Sequence, residues 1–496
     1  MPHQELVEQA TASVLEENKR QGAGEWRLDY HITAPAFWIN DPNGFCYYNG
    51  EYHLFYQHHP YSVKWDNMHW GHIKSSDLTH WEDLPVALAP SESYDKDGCF
   101  SGSAIEKDGR LYLFYTGNIW TGPDPDTDLK QSQCLAVSDD GITFTKYEHN
   151  PVISEAPEGN IDPAHFRDPK VWEEDGMYYC ILGSKSRENT GQALLYKSTD
   201  LLNWEYISIV AKGTGNMGYM WECPDLITVN GQDMIVMSPQ GVSPEGDLYH
   251  NLHQAVYLPG KLEADKENFQ FEQFKLLDYG FDFYAPQTTV DAEGRRLMVG
   301  WMAMWESPMP EEKEQWTGAM TLPRELWMEK GELYSFPVQE LQALRQKQVS
   351  YNNVHVHNSL QLDGINGKTL ELRLAIDAKK AGHFGLSFRG DDAGTEQTTW
   401  SYDVARHKAV LDRSSAGEGP GGVRKAEVPL EDGIMDICLY IDNSSVEIFM
   451  QHGAASMTGR IYPKSTSTAI SFFADEPVEL VKAEKWELKP SITTRL

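Results

Sequence analysis

Short apolar runs alternate with polar, glycine-containing turns along the first two thirds of the chain. Strand-like runs occupy residues 52–56, 111–115, 177–182, 234–237 and 296–301. A two-residue turn stands just before each run: Asn49-Gly50, Asp108-Gly109, Asp175-Gly176, Asn230-Gly231 and Glu293-Gly294. Successive turns are 55 to 67 residues apart. A repeat of this length built from strands and turns is typical of a propeller blade, so the pattern predicts an all-β chain with a five-bladed β-propeller over residues 31–337.

One residue position recurs seven or eight residues before each of these turns. It is occupied by Asp41, Ser101, Asp168, Glu222 and Ala285. In a propeller the first strand of every blade lies nearest the central axis, so equivalent positions on these strands converge at one end of the channel. We therefore expect the three carboxylates Asp41, Asp168 and Glu222 to meet.

The repeat disappears near residue 349, and a different pattern follows. Residues 369–374 alternate strictly between polar and apolar side chains, and residues 445–450 begin with the same alternation. Together with many short strands, this pattern predicts a C-terminal β-sandwich over 349–496. Residues 338–345 have a helical pattern, and residues 338–348 are predicted to form a short connector. Apolar residues near helical spacing between 5 and 20 predict a helix within an N-terminal extension, 1–30. We expect the sandwich to be structural or to mediate self-association.

The composition limits which binding partners and which cellular compartment we expect. The 496 residues suit two domains, and a net charge of −32 with a pI near 4.8 argues against nucleic acid or an anionic membrane as partner. The six cysteines show no paired close spacing, which predicts free thiols. The N-terminus has no apolar signal-like segment and no stretch reaches the length of a membrane span, so a cytoplasmic protein is predicted. His58-His59 is not at metal-ligand spacing, and we expect neither metal nor cofactor.

Three carboxylates in one funnel point to chemistry, because like charges at close range raise one another's pKa. Two carboxyl groups roughly 5 Å apart, one ionised and one protonated, are the arrangement used for retaining glycoside hydrolysis. Nearby tryptophans suit the apolar faces of a sugar, although packing between blades explains them equally well. They are Trp38, Trp65, Trp70, Trp221, Trp301 and Trp305.

Motifs around these positions resemble glycoside hydrolase family 32, the invertase and β-fructofuranosidase group. The stretch 38–44 (WINDPNG) is similar to its nucleophile motif, 166–169 (FRDP) to its transition-state motif and 221–225 (WECPD) to its acid/base motif. Residues 100–104 (FSGSA) and 283–287 (FYAPQ) extend the likeness over the whole propeller. In the C-terminal part the likeness is one of architecture only.

The resemblance implies a five-bladed propeller plus β-sandwich that hydrolyses a terminal β-linked fructose with retention. Asp41 would attack C2, Glu222 would act as acid and then base, and Asp168 with Arg167 would hold fructose hydroxyls. Further positions similar to sugar-contacting residues of the family are Asn40, Gln57, Trp65, Phe100, Ser101 and Trp301. The implied substrates are sucrose, sucrose 6-phosphate and short fructo-oligosaccharides.

Two alternatives remain open at this point. A fructosyltransferase would share every catalytic residue and differ in whether water or a sugar reaches the intermediate, and a non-catalytic sugar-binding propeller would turn over nothing. Choosing a phosphorylated substrate would require basic residues at the rim of the funnel, for which Lys64, Lys185 and Arg187 are candidates.

Overall fold

The computed structural model describes residues 1–22 and 24–495. The chain begins with a helix, α1 (His3–Arg20), whose apolar side lies against the first sheet of the fold. Val7 and Ala10 pack on Val86 and Ala89, at apolar positions spaced for one helical face.

Five antiparallel sheets follow one another in chain order. Sheet one contains β1 (Phe37–Tyr48), β2 (Glu51–His59), β3 (His69–Ser75) and β4 (Trp81–Leu88). Sheet two contains β5 (Cys99–Lys107), β6 (Arg110–Trp120), β7 (Leu129–Ser138) and β8 (Thr145–Lys146). Sheet three contains β9 (Phe166–Glu174), β10 (Met177–Lys185), β11 (Gly191–Ser198) and β12 (Glu205–Lys212).

The last two sheets complete the N-terminal part. Sheet four contains β13 (Met220–Val229), β14 (Gln232–Gln240), β15 (Val256–Leu262), β16 (Phe269–Phe271) and β17 (Lys275–Leu276). Sheet five contains β18 (Tyr284–Val290) and β19 (Arg296–Trp301), and, after β20 (Trp316–Thr317), β21 (Arg324–Glu329) and β22 (Glu332–Pro337). A 3-10 helix, Pro310–Glu314, precedes β20.

The first strands of the five sheets contact one another in sequence, and β18 of the last sheet contacts β1 of the first. β20 also pairs in parallel with β1 and so ties the end of the ring to its beginning. The predicted all-β class and the propeller-like arrangement are confirmed.

The C-terminal part is one curled sheet of ten strands. Its strands are β23 (Arg345–Leu360), β24 (Leu370–Asp377), β25 (His383–Gly390), β26 (Gln397–Asp403), β27 (Lys408–Ser415), β28 (Val423–Glu427), β29 (Ile434–Asp442), β30 (Ser445–Met450), β31 (Ala455–Arg460) and β32 (Ala469–Leu488). A 3-10 helix, Gln451–Gly453, lies between β30 and β31. Leu411 of β27 and Met457 of β31 share one core although they lie near opposite ends of the strand order. The sheet is therefore folded over on itself in a sandwich-like arrangement, as predicted.

Two predicted boundaries differ from the structure. The connector holds only a 3-10 helix, Gln339–Leu344, and β23 begins directly after it at Arg345, ahead of the predicted start at 349. At the other end, β33 (Ile492–Thr494) pairs in parallel with β4 of the first sheet, so these last residues do not belong to the sandwich. The tail reaches β4 because Trp81 donates a backbone hydrogen bond to Ser491 at 2.9 Å.

Buried ion pairs join the two parts of the molecule. Arg324 of β21 lies 3.0 Å from Asp278 and 2.6 Å from Glu447 of β30, with all three side chains fully buried. His31 contacts Asp442 at 2.8 Å and Glu447 at 3.0 Å. Because an isolated charge at such depth is very costly, each member depends on its partners across the boundary.

Candidate active site

A cavity of about 740 Å³ opens at one end of the ring axis, where the first strands begin. Asp41 of β1, Asp168 of β9 and Glu222 of β13 all line it. Cys223 lies between the first two, with its Sγ 3.6 Å from Asp41 Oδ2 and 3.7 Å from Asp168 Oδ2. The structure thus brings together the three carboxylates that the repeat aligns.

A bulge at the same place in all five first strands aims these side chains. The pairing register shifts between Ile39 and Pro42 in β1, and between Glu222 and Asp225 in β13. Equivalent shifts follow Phe100 in β5 and Tyr284 in β18. In β9 the register shift falls opposite Ile181 and Gly183, beside Asp168, whose backbone φ is +62°. Because a bulge breaks the alternation of side chains, it re-aims them toward the axis.

Asp41 is held by two donors in a buried setting. Ser101 donates its hydroxyl to Asp41 Oδ2 at 2.7 Å, and the Asn40 amide donates to Oδ1 at 3.1 Å. Burial, together with the charge of Glu222, raises the pKa of Asp41 to about 6 against the lowering effect of these hydrogen bonds. Asp41 is therefore an ionised carboxylate above roughly pH 6.

Glu222 has the strongest set of partners in the cavity. Arg167 donates to Oε1 from Nη2 at 2.8 Å and from Nε at 3.2 Å. Oε2 accepts from the Tyr284 hydroxyl at 2.6 Å and from the Gln240 amide at 2.8 Å. Burial alone would raise the pKa of Glu222, but the charge of Arg167 and these hydrogen bonds outweigh it and lower the pKa.

Asp168 has weaker support. Its Oδ2 accepts a backbone hydrogen bond from Cys223 at 3.0 Å, and Arg167 Nε stands 4.0 Å away. Burial raises the pKa of Asp168, and the charges of Glu222 and Asp41 add to this against the effect of Arg167. Of the two, Asp168 therefore takes up a proton more readily, whereas the surroundings of Glu222 favour its ionised form.

Most of the sugar-contact positions predicted from the sequence line this cavity, namely Asn40, Gln57, Trp65, Phe100, Ser101 and Arg167. Trp301 does not: its side chain is fully buried behind the cavity wall. It packs edge-on against Trp305 at 5.0 Å between ring centroids, and Trp305 lines the cavity in its place. Trp70 and Trp221 are also fully buried and pack between blades.

Two partners of Glu222 had no assigned role at the sequence level. Tyr284 lies inside the motif 283–287, one residue before the apolar Ala285, so its place in the repeat was a usable signal. Gln240 ends β14 and reaches Glu222 because it pairs with Met220 across the hairpin. No local pattern marks that contact.

The three basic candidates separate into two groups. Lys185 and Arg187 line the cavity, and Lys64 does not. Lys64 is an exposed side chain that pairs with Glu312 at 2.5 Å. Lys185 is largely buried, with Nζ 3.1 Å from Asn189 Oδ1 and 3.7 Å from Asp162. Arg187 donates from Nε to the Gly159 carbonyl at 3.3 Å and from its backbone N–H to Asn160 Oδ1 at 3.2 Å.

Within residues 1–22 and 24–495, no cluster of three histidine, cysteine, aspartate or glutamate side chains is arranged to hold a metal ion. All six cysteines are free. No helix in these ranges is long and apolar enough to cross a bilayer.

Family comparisons cover nearly the whole chain. Residues 31–337 match the N-terminal domain of glycosyl hydrolases family 32, and residues 340–487 match the C-terminal domain of the same family. A sucrose-6-phosphate hydrolase of Escherichia coli is 41% identical over 463 residues, which are 92% of this chain and 94% of that protein. A raffinose invertase of Escherichia coli is 39% identical, over 93% of this chain and 95% of its own length.

Solved structures agree with these matches. A mutant of the Bombyx mori GH32 beta-fructofuranosidase BmSUC1, in complex with sucrose, superposes with a TM-score of 0.86 at 35% identity and covers 98% of both chains. The sucrose-6-phosphate hydrolase of Lactobacillus gasseri has a TM-score of 0.87 at 29% identity, over 98% of this chain and 99% of its own. The chain belongs to glycosyl hydrolase family 32.

Proposed function

We propose that this protein is a β-fructofuranosidase that releases terminal β-linked fructose from sucrose, sucrose 6-phosphate or short fructo-oligosaccharides. The observation that carries the proposal is the meeting of Asp41, Asp168 and Glu222 in one sugar-sized cavity at the ring axis. The relatives described above are named a sucrose-6-phosphate hydrolase, a raffinose invertase and a beta-fructofuranosidase, which favours water over a sugar as acceptor.

In the proposed reaction Asp41 attacks C2 of the fructosyl unit while Glu222 protonates the departing glycosidic oxygen. A covalent fructosyl-enzyme results, with the bond between Asp41 and C2 replacing the glycosidic bond. Glu222, now ionised, takes a proton from water, and the resulting hydroxide displaces Asp41 and frees fructose. Asp168 and Arg167 hold fructose hydroxyls and stabilise the oxocarbenium-like transition state.

Arg167 makes the charge state of Glu222 depend on substrate. Arg167 pairs with Glu222 at 2.8 Å, and this pair opposes an acid role. A fructose hydroxyl that takes over part of the Arg167 fork weakens the pair, so the pKa of Glu222 rises and a proton can move to it from the Asp168 side. Substrate binding thereby favours the protonated form of Glu222, which the acid role requires.

Lys185 and Arg187 support recognition of a phosphate on the glucose unit. They are two residues apart, Lys185 at the end of β10 and Arg187 just beyond it, and both line the same cavity as the carboxylates. Lys185 has Asp162 3.7 Å away, and among the described residues Arg187 forms no ion pair. A phosphate needs this kind of paired positive charge for charge-assisted hydrogen bonds. We therefore propose sucrose 6-phosphate as the preferred substrate.

The five sheets described above form, in this proposal, the five blades of a catalytic propeller over residues 31–337. An N-terminal helical extension (1–30) precedes it, and a connector (338–348) and a β-sandwich (349–496) follow, with the adjustments at Arg345 and β33 noted above. A cytoplasmic location and self-association through the sandwich stay predictions.

The test compares reducing-sugar release from sucrose and from sucrose 6-phosphate, side by side. We expect the wild type to favour the phosphate by about tenfold or more in kcat/KM, about what one charge-assisted contact supplies. Arg187→Ala should remove most of that preference while sucrose turnover stays close to wild type. Lys64→Ala is the matched control, because Lys64 is an exposed cation that pairs with Glu312 and does not line the cavity.

Asp41→Asn and Glu222→Gln test the chemistry itself. Asp41→Asn should lower kcat on both substrates by at least about 10³-fold with the fold intact. Glu222→Gln should slow sucrose far more than an activated aryl fructoside, because only the poor leaving group needs the acid. If the wild-type enzyme hydrolyses no β-fructoside, the proposed hydrolase function is wrong. If Arg187→Ala keeps the wild-type ratio of kcat/KM for sucrose 6-phosphate to that for sucrose, only the proposed phosphate contact is wrong.

A further inference from the structure

A turn at residues 304–307 presents Trp305 to the cavity. Ser307 donates its backbone N–H to the Met304 carbonyl at 3.3 Å, and Glu306 inside the turn has a φ of +60°. Trp305 stacks on Trp38 with 6.1 Å between ring centroids. A non-glycine residue in the left-handed region is costly and persists only where surrounding contacts enforce it. The position of Trp305 thus depends on what anchors this turn.

The anchor on the far side of the turn is an arginine of the C-terminal domain. Arg460, the last residue of β31, is buried and donates from Nη2 to the Ser307 hydroxyl at 3.0 Å. The same guanidinium donates to Asp282 Oδ1 from Nε at 3.0 Å and from Nη2 at 2.9 Å. Its Nη1 lies 3.7 Å from Glu311, in the 3-10 helix that follows the turn.

Asp282 connects the same arginine to a second part of the cavity. It stands two residues before Tyr284, whose hydroxyl donates to Glu222 at 2.6 Å. The backbone at the start of this stretch is fixed against the sandwich, since Phe281 and Asp282 donate their N–H groups to the Thr458 carbonyl at 2.7 and 3.2 Å. Arg460 also donates its own N–H to the Asp282 carboxylate at 2.8 Å. Arg413 also donates to Asp282 Oδ2 at 2.6 Å, but only Arg460 contacts both Asp282 and the turn at Ser307, so it links the approaches to Trp305 and Tyr284.

We propose that Arg460 is a positioning residue for the reaction, through which the sandwich sets the cavity wall at Trp305 and the orientation of Glu222 through Tyr284. Arg460 touches no substrate itself. The inference rests on the proposed function, because its consequences are read as changes in fructoside turnover. The C-terminal domain thus contributes to substrate binding as well as to stability.

Ser307→Ala is the informative variant, because it removes the link to the turn and leaves the buried pair of Arg460 with Asp282 in place. A wall contact acts equally in the ground state and the transition state, so its loss raises KM and spares kcat. We expect KM for sucrose to rise roughly fivefold, about the effect of one hydrogen bond, with kcat within about twofold of wild type. Ser307→Thr keeps the hydroxyl and should restore KM.

Arg460→Lys tests the second connection, which runs from Arg460 through Asp282 to Tyr284. A single ammonium cannot reproduce the fork that holds Asp282 and Ser307 together, so we expect kcat to fall as well, by roughly tenfold. The matched control is Ser456→Ala: the Ser456 hydroxyl accepts from Arg324 at 3.1 Å in the other interface cluster, with no turn leading to Trp305. Its KM should match wild type.

Three results would overturn the inference. They are a wild-type KM in Ser307→Ala, a raised KM that Ser307→Thr fails to restore, and an equal rise in Ser456→Ala. Thermal midpoints of all variants identify any effect of misfolding. A wild-type enzyme that hydrolyses no fructoside contradicts the proposed function instead, so the two failures are distinguishable.

Discussion

Three carboxylates share one buried site, yet the residues around them push their proton affinities apart. Asp41 accepts hydrogen bonds from a serine hydroxyl and an asparagine amide. Glu222 accepts hydrogen bonds from Arg167, Tyr284 and Gln240. Asp168 accepts mainly one backbone N–H. Groups in such different settings ionise at different pH values, which is how a nucleophile and an acid/base can coexist in one cavity.

The Ser101 hydroxyl should set the acid limb of activity. Burial raises the pKa of Asp41 to about 6, and in the proposed reaction Asp41 attacks only when ionised, so kcat/KM should fall as the pH drops below about 6. The Ser101 hydrogen bond stabilises the carboxylate, so Ser101→Ala raises the pKa of Asp41 and moves this limb upward by about one pH unit. The measurement is kcat/KM for sucrose against pH.

Ser103→Ala controls for the loss of a buried hydroxyl on the same strand. Ser103 lies two residues further along β5 and accepts a hydrogen bond from the Val171 backbone at 3.0 Å, away from Asp41. The acid limb of kcat/KM in Ser103→Ala should fall at the same pH as in the wild type. An acid limb in Ser101→Ala that stays fixed or moves to lower pH contradicts the role given to this hydrogen bond.

At the level of elements, repeated bulges and the added strand β33 shape the ring. The bulges in the first strands convert an ordinary alternating strand into one that directs a side chain at the axis. Strand β33 pairs with β4 and so adds residues 492–494 to the outer edge of sheet one. Arg495, just beyond it, reaches Asp83 at 3.3 Å and the Thr33 carbonyl at 2.7 Å.

Arg495→Ala should destabilise the N-terminal part of the molecule. Asp83 is 2% exposed, and removing Arg495 leaves its carboxylate without this ion-pair partner. The expected loss is about 1–3 kcal/mol, the cost of an unsatisfied buried group, and Asp83→Asn should recover part of it in the double variant. Thermal and urea midpoints measure both.

Arg406→Ala is the comparison for that experiment. Arg406 pairs with Asp403 at 2.6 Å, but its side chain is 76% exposed, and exposed pairs contribute little. We expect no measurable shift. Equal losses in the two arginine variants, or none in Arg495→Ala, would mean that the tail does not support sheet one.

At the level of the whole molecule, buried charges hold the ring and the sandwich together. His31, at the start of the N-terminal part, has Asp442 and Glu447 of the sandwich on its two ring nitrogens. Burial alone would lower the pKa of His31, but the two carboxylates outweigh it and raise the pKa to about 9. The histidine is therefore a buried cation at neutral pH.

This cation predicts a loss of stability with rising pH. Because the pKa of His31 is higher in the folded protein than its usual 6.5, its contribution is complete below about pH 6.5 and disappears as the pH rises toward 9. A difference of this size corresponds to about 3 kcal/mol. The urea midpoint of the wild type should fall across this range, whereas His31→Gln should be less stable at pH 6.5 and change less with pH.

An exposed histidine provides the control. His452 contacts Asp436 at 3.3 Å with its side chain 73% exposed, so His452→Gln should keep the pH dependence of the wild type. A wild-type midpoint that is flat between pH 6.5 and 9 would rule out the protonated histidine.

The sequence by itself determined the all-β class, the repeated unit and the family. Turn residues and period-two alternation act over a few neighbouring residues, so they can be recognised without knowing the fold. The repeat also aligned Asp41, Asp168 and Glu222, because equivalent positions of a cyclic array must face the same axis. Most of the candidate sugar-contact positions follow from motifs next to these residues.

Only the tertiary structure decided which aromatic ring faces the cavity, which groups clamp Glu222 and how the two domains meet. Trp301 and Trp305 have the same chemistry and lie four residues apart, and packing alone buries the first and presents the second. The contacts of Ser307 with Arg460 and of His31 with Glu447 join residues more than 150 positions apart. Such contacts leave no local pattern, because burial and side-chain geometry arise only when distant segments pack together.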